Sequence, residues 1–390
     1  MKQPLQSRLA SLHRQLVNDF SGLSEAELCT QYHPDLSQLG WHLAHIAFIE
    51  QYWLYEVVLG DNSRTAGRHE KFFPELIDKP SRGKLQGITD MQQLQKDFSE
   101  SEKCFSKLSD NPQSHHLLID DYIGWFLLQH GEQHYETMQM VLFQKALAGA
   151  SPEEFEAARF DAAEPALPKM PVFAGNFEAG CDGVKSCDNE RPSHRVKLQP
   201  TMLSVQPVSN AEYLGFIESD GYHRKELWSK GGWQWKLNNR ISAPECWRQD
   251  EHGGWYQIVK QGATDLAPDV AVSGLSWYEA DAFARYAGAR LPHELEWESA
   301  MNAGGGEAAT ELWGTTGQVW EWCANTFYPY DGFKAFPYTR YSTPWFDGQH
   351  FSLRGGSSFT GEATRRPSFR NFYQPGKRHI FAGLRLASDG

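Results

Sequence analysis

Near residue 150 the chain changes the period of its hydrophobic pattern, and this change constrains the fold more than any other feature. Upstream, apolar residues recur at helical spacing through LQSRLASLHRQLVNDFSGL, SQLGWHLAHIAFIEQYWLYEVVLG, TDMQQLQKDFSESEKCFSKLSD and SHHLLIDDYIGWFLLQHGEQHYETMQMVLFQKALAG. Gly60 ends the second segment, and Thr89 stands where a cap for the third is needed. Four such segments, joined by short or turn-rich connections, predict a four-helix bundle over residues 1–150. The Ala/Glu/Pro-rich stretch ASPEEFEAARFDAAEPALPKMP reads as a linker, covering 151–169. From about residue 170 short apolar runs such as VFAGNFEAG and FSLRGGSSF alternate with Gly, Pro, Asn and Trp. Only SNAEYLGFIES and SWYEADAFARYAGA read as helices there, so 170–390 is expected to be an α+β domain with much irregular chain.

Composition narrows the function. Hydrophobic residues at 40% and charged residues at 22% are ordinary for a globular protein with a real core. A net charge of −12 with no basic run argues against nucleic acid as a main partner. No apolar run approaches a membrane span. The start, MKQPLQSRLASLHRQLV, has no apolar core of a secretory leader, so a cytoplasmic location is expected. The six cysteines form no CxxC pair and are expected to be free thiols, with Cys181 and Cys187 in GCDGVKSC the pair most open to a bridge or metal role. Aromatics reach 13%, with 14 Trp, which fits either large rigid cores or a ring-lined cleft for a cationic or aromatic ligand.

His130 and His134 lie one helical turn apart in an apolar segment, so both lean to one face. In a bundle that face points inward, where an imidazole needs a partner; a hydrogen bond and a metal both remain open. The motif WHLAH on the second segment offers His42 and His45. Three imidazoles from two helices leave coordination positions open, as a catalytic metal requires. All-nitrogen ligation suits Zn, Fe, Ni or Cu. Glu132 and Glu136 are further possible ligands or solvated neighbours, while His69, His115 and His116 stand in turn-like contexts expected at the surface.

With these motifs in hand, GWHLAHIAFIEQYW followed by HGEQHYETM resembles the metal-binding half of the ergothioneine-type (EgtB-like) sulfoxide synthases, whose relatives include selenoneine synthases. The second half resembles their formylglycine-generating-enzyme-like domain through RPSHRVKL, PVSNAEYLGFIESDGYHRKELW, LSWYEADAFARYAGARLPHELEWE, GQVWEWCANTFYPYDGF, YSTPWF, LRGGSSF, RPSFRNFY and KRHIFAGLRLA, in the same order. The resemblance implies an all-α DinB-like four-helix bundle followed by an α+β, C-type-lectin-like domain. It implies an O2-dependent enzyme that joins a thiol donor to hercynine (Nα-trimethylhistidine) using non-heme Fe(II), or a selenosugar in a selenoneine synthase. His45, His130 and His134 match the three metal ligands, and His42 falls beside them at a variable position. Gln133 matches a residue that contacts the substrate imidazole. Tyr338 and Tyr341 of PYTRYS match two functional tyrosines, the first a proton donor and the second a hydrogen-bonding residue. Asn371 and Phe372 match positions around the trimethylammonium group.

The departures bear on the donor. Tyr373 stands where members that use γ-glutamylcysteine carry an acid, and Arg82 and Lys84 keep only part of their paired-arginine clamp. Gly131 replaces a usual Glu, a change expected to be a matter of surface or packing. Three other readings compete. A formylglycine-generating oxidase needs two reactive cysteines near the end of the domain, and LRGGSSFTGEATRRPSFRNFY has none. A zinc-dependent thiol transferase built on the bundle has little use for the second half. A ligand-binding protein with a structural metal conflicts with the open coordination positions.

Overall fold

A computed structural model of the chain describes residues 4–150, 155–172, 174–302 and 307–390. The chain divides into two compact units, Met1–Ala148 with Gly361–Thr364, and Gly149–Thr360 with Arg365–Gly390.

The first unit is helical, and each long helix follows from its pattern. Leu5–Phe20 buries Leu5, Leu9, Leu12, His13, Leu16 and Phe20, a single stripe three or four residues apart. Leu39–Gln51 is buried almost all round, as a helix with apolar residues on every face must be, and it runs on as a π-helix over Tyr52–Val58. Gly60, at φ +72°, then ends it. Met91–Ser109 turns Leu94, Phe98, Phe105 and Leu108 inward. Its cap is Asp90, not the expected Thr89: the Asp90 carboxylate accepts from the backbone N–H of Gln92 and Gln93. An aspartate adds a negative charge at the positive helix end, which threonine cannot. The fourth helix, Tyr122–Gly149, starts later than its sequence segment, because His116–Asp121 is a 3-10 turn with Asp120 and Asp121 at positive φ. Gly131 is a packing position: a Cβ there would lie 2.6 Å from Leu12 Cδ2, so the glycine lets the first and fourth helices close on each other. Two short helices, His69–Phe72 and Lys79–Arg82, interrupt the turn-rich connection.

Among the described residues the second unit holds four small sheets. The largest runs in the order Asn371–Tyr373, Phe351–Arg354, Trp320–Thr326, Ala382–Gly383; the first two pairings are antiparallel and the last parallel. Asn210–Glu218 and Trp277–Tyr286 are the two helices read from sequence, each opened by a capping box, Ser209 with Glu212 and Ser276 with Glu279. Three more were not read: Lys230–Asn239, Glu294–Asn302 and Glu307–Gly314. KGGWQWKLNN is poor in helix formers. ELEWESAMN hides its signal because its glutamates point inward: Glu294 and Glu298 are fully buried. Arginines receive them. Arg370 donates to Glu294 through Nε (2.9 Å) and Nη2 (2.7 Å), and Arg354 reaches Glu294 (2.9 Å) and Glu298 (3.0 Å). Arg385 forms a two-point bond with Glu321 at 2.8 Å, and Trp297 donates to the same carboxylate at 2.6 Å. Burial would raise the Glu294 pKa, but the charges of Arg370 and Arg354 hold it at about 2. The segment from Phe155 to Lys169 has no regular structure and is bonded along this unit, Ala157 N–H to Asp250 and Ala163 N–H to the Ala211 carbonyl. Residues 151–154, the start of the expected linker, lie outside the described residues.

Candidate functional site

In the bundle, the second and fourth helices bring His45, His130 and His134 together, with one ligand atom from each within 4.8 Å of the others. His45 is fixed on two sides. Its Nδ1 donates to the Phe72 carbonyl at 2.7 Å, and its ring stacks on Trp41 at 4.6 Å. That tautomer leaves Nε2 bare, 3.2 Å from Nε2 of His130. Nδ1 of His130 is buried without a hydrogen-bond partner. His134 places its Nδ1 2.9 Å from Nδ1 of His42. Burial pushes all of these imidazoles down: His45 and His130 well below the usual histidine value, with further repulsion from His134, and His134 to about 4, helped by the Arg82 charge. They are therefore neutral, with lone pairs to offer. Nε2 of His45 can accept a proton from Nε2 of His130 or share a cation with it, so the residues fit a bound metal. The donor set suits a divalent transition ion.

The remaining residues of the bundle stand as follows. Glu132 accepts from the Ala363 N–H at 2.9 Å and faces Arg8 at 3.7 Å; burial raises it to about 7 against the Arg8 charge. His69 bonds to Glu56 at 2.9 Å and is partly exposed. Gln133 donates to the Gln129 carbonyl at 3.1 Å. Arg82 is buried under Trp41, its terminal nitrogens bonded to Ser37 and to the carbonyls of Pro74 and Ile77, while Lys84 is exposed.

In the second unit Tyr338 and Tyr341 sit edge to face with ring centres 6.2 Å apart. Tyr338 is 40% exposed. Ser342 anchors the loop, donating to Asp188 and accepting from Asn189 Nδ2 at 3.0 Å. The Tyr341 hydroxyl lies 3.4 Å from Cys187 Sγ. Asn371, Phe372 and Tyr373 form an edge strand of the largest sheet. Phe372 stacks on Phe327 at 4.3 Å, with Trp345 at 5.9 Å, so rings gather there as well as in the core. Asn371 accepts the Phe372 N–H at 2.8 Å, and Tyr373 meets His379 edge to face. Sequence reasoning missed Trp41, the Phe72 carbonyl, Phe327 and Trp345, and it singled out Cys187 for a bridge or metal rather than for its contact with Tyr341. Only Trp41 had a local signal, four residues before His45 on the same helix face.

Residues 8–138 match the DinB superfamily, and residues 156–311 and 306–390 match the sulfatase-modifying factor enzyme 1-like domain. A hercynine oxygenase of Mycobacterium tuberculosis is 32% identical over 94% of this chain and 94% of its own. The chain belongs to the hercynine oxygenase family. A second hercynine oxygenase, from Mycolicibacterium thermoresistibile, is 31% identical over 97% of this chain and 95% of its own. A formylglycine-generating enzyme of Streptomyces coelicolor, 25% identical, covers only 36% of this chain. As a member of the hercynine oxygenase family the chain is an enzyme of oxygenase type, and its DinB part carries the three convergent histidines. No helix among the described residues is long and apolar enough to cross a membrane.

Proposed function

We propose that the enzyme joins the sulfur of a small thiol to C2 of the hercynine imidazole and leaves it as a sulfoxide. The observation that carries this reading is the convergence of His45, His130 and His134 in a chain of this family. The balance is one hercynine, one thiol and one O2. A ring C–H and an S–H are lost, a C–S bond forms, one oxygen atom ends on sulfur and the other leaves as water. His45, His130 and His134 would hold Fe(II), which would supply the redox chemistry with O2.

The chain's own residues hold the substrates and handle a proton. The rings of Phe372, Phe327 and Trp345 offer π-faces to a quaternary ammonium, which cannot donate a hydrogen bond and is recognised by such faces. Gln133 presents an amide suited to the substrate imidazole. Tyr338, exposed on its loop, is the proton donor, and Tyr341 hydrogen-bonds beside it. For the donor, Arg82 is already engaged by Ser37, Pro74 and Ile77, and Tyr373 offers a phenol in place of an acid. Of the basic pair only Lys84 is presented to solvent. This favours cysteine or a selenosugar over γ-glutamylcysteine, and a selenosugar would make the product a selenoneine precursor. The test is turnover with hercynine, Fe(II) and O2 against cysteine, γ-glutamylcysteine and a selenosugar, read by mass spectrometry. A C2-linked adduct with one donor is expected. No adduct with any donor, in a protein that has retained iron, overturns the reading.

A further inference from the structure

We infer that Cys187 is a positioning residue for Tyr341: together with Arg366 it decides which way the phenolic hydrogen points. This rests on the reading that Tyr341 serves the reaction proposed above. The chain of contacts begins at Glu190, which is fully buried. Its carboxylate accepts from Arg366 Nε (2.9 Å), from Arg366 Nη2, from Ser368 Oγ (2.7 Å) and from the Cys187 N–H (2.8 Å). The guanidinium is thereby immobilised as a cation. Its Nη2 also reaches Cys187 Sγ at 3.8 Å.

Polarity follows from what each group can do. A guanidinium has no acceptor, so the sulfur must accept from Arg366. The thiol's single hydrogen is placed toward its other neighbour, the Tyr341 oxygen at 3.4 Å, a contact in which either atom can donate and whose direction the infrared band reads. The phenol oxygen accepts that hydrogen, and its own O–H is directed at a partner other than the thiol. Burial, with the Glu190 charge, pushes the thiol up to about 12, so it keeps its hydrogen at neutral pH. Ser342, the next residue, is tied to Asp188 and Asn189, so residues 187–189 grip 341–342 at three points. Without the thiol, Tyr341 can turn its own hydrogen back into the protein.

Two variants separate this role from packing. Cys187→Ala removes the hydrogen and the acceptor; Cys187→Ser keeps both. The first readout does not depend on turnover. The infrared S–H band of Cys187, assigned by its loss in Cys187→Ala, moves to higher frequency in Tyr341→Phe if the thiol donates to the phenol. An unmoved band overturns the inference, whether or not hercynine is the substrate. The second readout is kinetic. Cys187→Ala, with an unchanged circular dichroism spectrum, lowers kcat about threefold to tenfold, the worth of one neutral hydrogen bond. KM for hercynine changes little, and Cys187→Ser recovers most of the rate. Wild-type kcat in Cys187→Ala, or a serine variant as impaired as the alanine one, overturns it. A wild-type enzyme inert toward hercynine sinks the function proposed above, and the band shift alone then decides the thiol–phenol geometry.

Discussion

His42 stands beside the convergent histidines without joining them, and its contact shapes what His134 can do. For His134 to offer Nε2 to a metal, its Nδ1 must carry the hydrogen and donate it to Nδ1 of His42, 2.9 Å away. Partners of this kind fix the tautomer and orientation of a ligand and are typically worth about 10–100-fold in metal affinity. His42→Ala is therefore expected to weaken Fe(II) binding by about that factor in equilibrium dialysis, with helicity unchanged. Equal affinity would reduce His42 to packing. His134→Ala is expected to lose retained iron altogether while the bundle stays folded, and wild-type iron content in that variant rules the ligand assignment out. Tyr338→Phe keeps the ring but not the proton. A general acid is worth about 10²–10⁴ in rate, so the variant should divert turnover toward oxidation of the thiol alone, visible in the product ratio. At this scale the i,i+4 spacing of His130 and His134 was legible in the sequence. The choice of His45 over His42 came from resemblance, because both lie near one helix face. The Phe72 carbonyl that orients His45 is 27 residues away and left no local trace.

Between elements, His13 ties three helices together. Its Nε2 bonds to Glu50 and its Nδ1 to Glu102, both at 2.7 Å, and its ring stacks on Phe98. Burial alone would lower its pKa, but the Glu50 charge and the bonds to both glutamates raise it to about 9. A folded-state pKa above the unfolded value gives stability that is complete below about 6.5 and lost as pH rises toward 9. His13→Gln leaves Glu50 buried without a counter-charge, a loss of about 3–5 kcal/mol. Its melting temperature should fall well below wild type at pH 6.5, and the gap should narrow by pH 9; a pH-independent gap contradicts the charged pair. The cap is a second test between elements. Asp90→Ala should cost about 0.5–2 kcal/mol and Thr89→Ala close to nothing, measured by urea unfolding. The bundle's helices were readable because their buried faces are apolar. Glu294–Asn302 was not, because its buried face is made of carboxylates whose arginine partners lie 56 to 76 residues away in sequence.

At the scale of the whole chain, the core of the second unit is partly ionic, with Arg354, Arg370 and Arg385 among its largest fully buried side chains. Removing one partner is more damaging than the pair is stabilising, since the other charge stays behind in a medium that cannot solvate it. Arg370→Met should destabilise the second unit by about 3–5 kcal/mol, seen as a lowered calorimetric transition. A transition at the wild-type temperature would mean that Glu294 is satisfied by Arg354 alone. The order in which a ribosome delivers these charges has its own consequence. Glu321 is made 64 residues before Arg385, which supplies two of the bonds to that glutamate. Until Arg385 emerges, the second unit carries a half-assembled core with its carboxylate unneutralised, whereas the bundle's four long helices are already synthesised at Gly149. A nascent chain stalled just short of Arg385 is therefore a chaperone's client, ordered in its first half and open in its second.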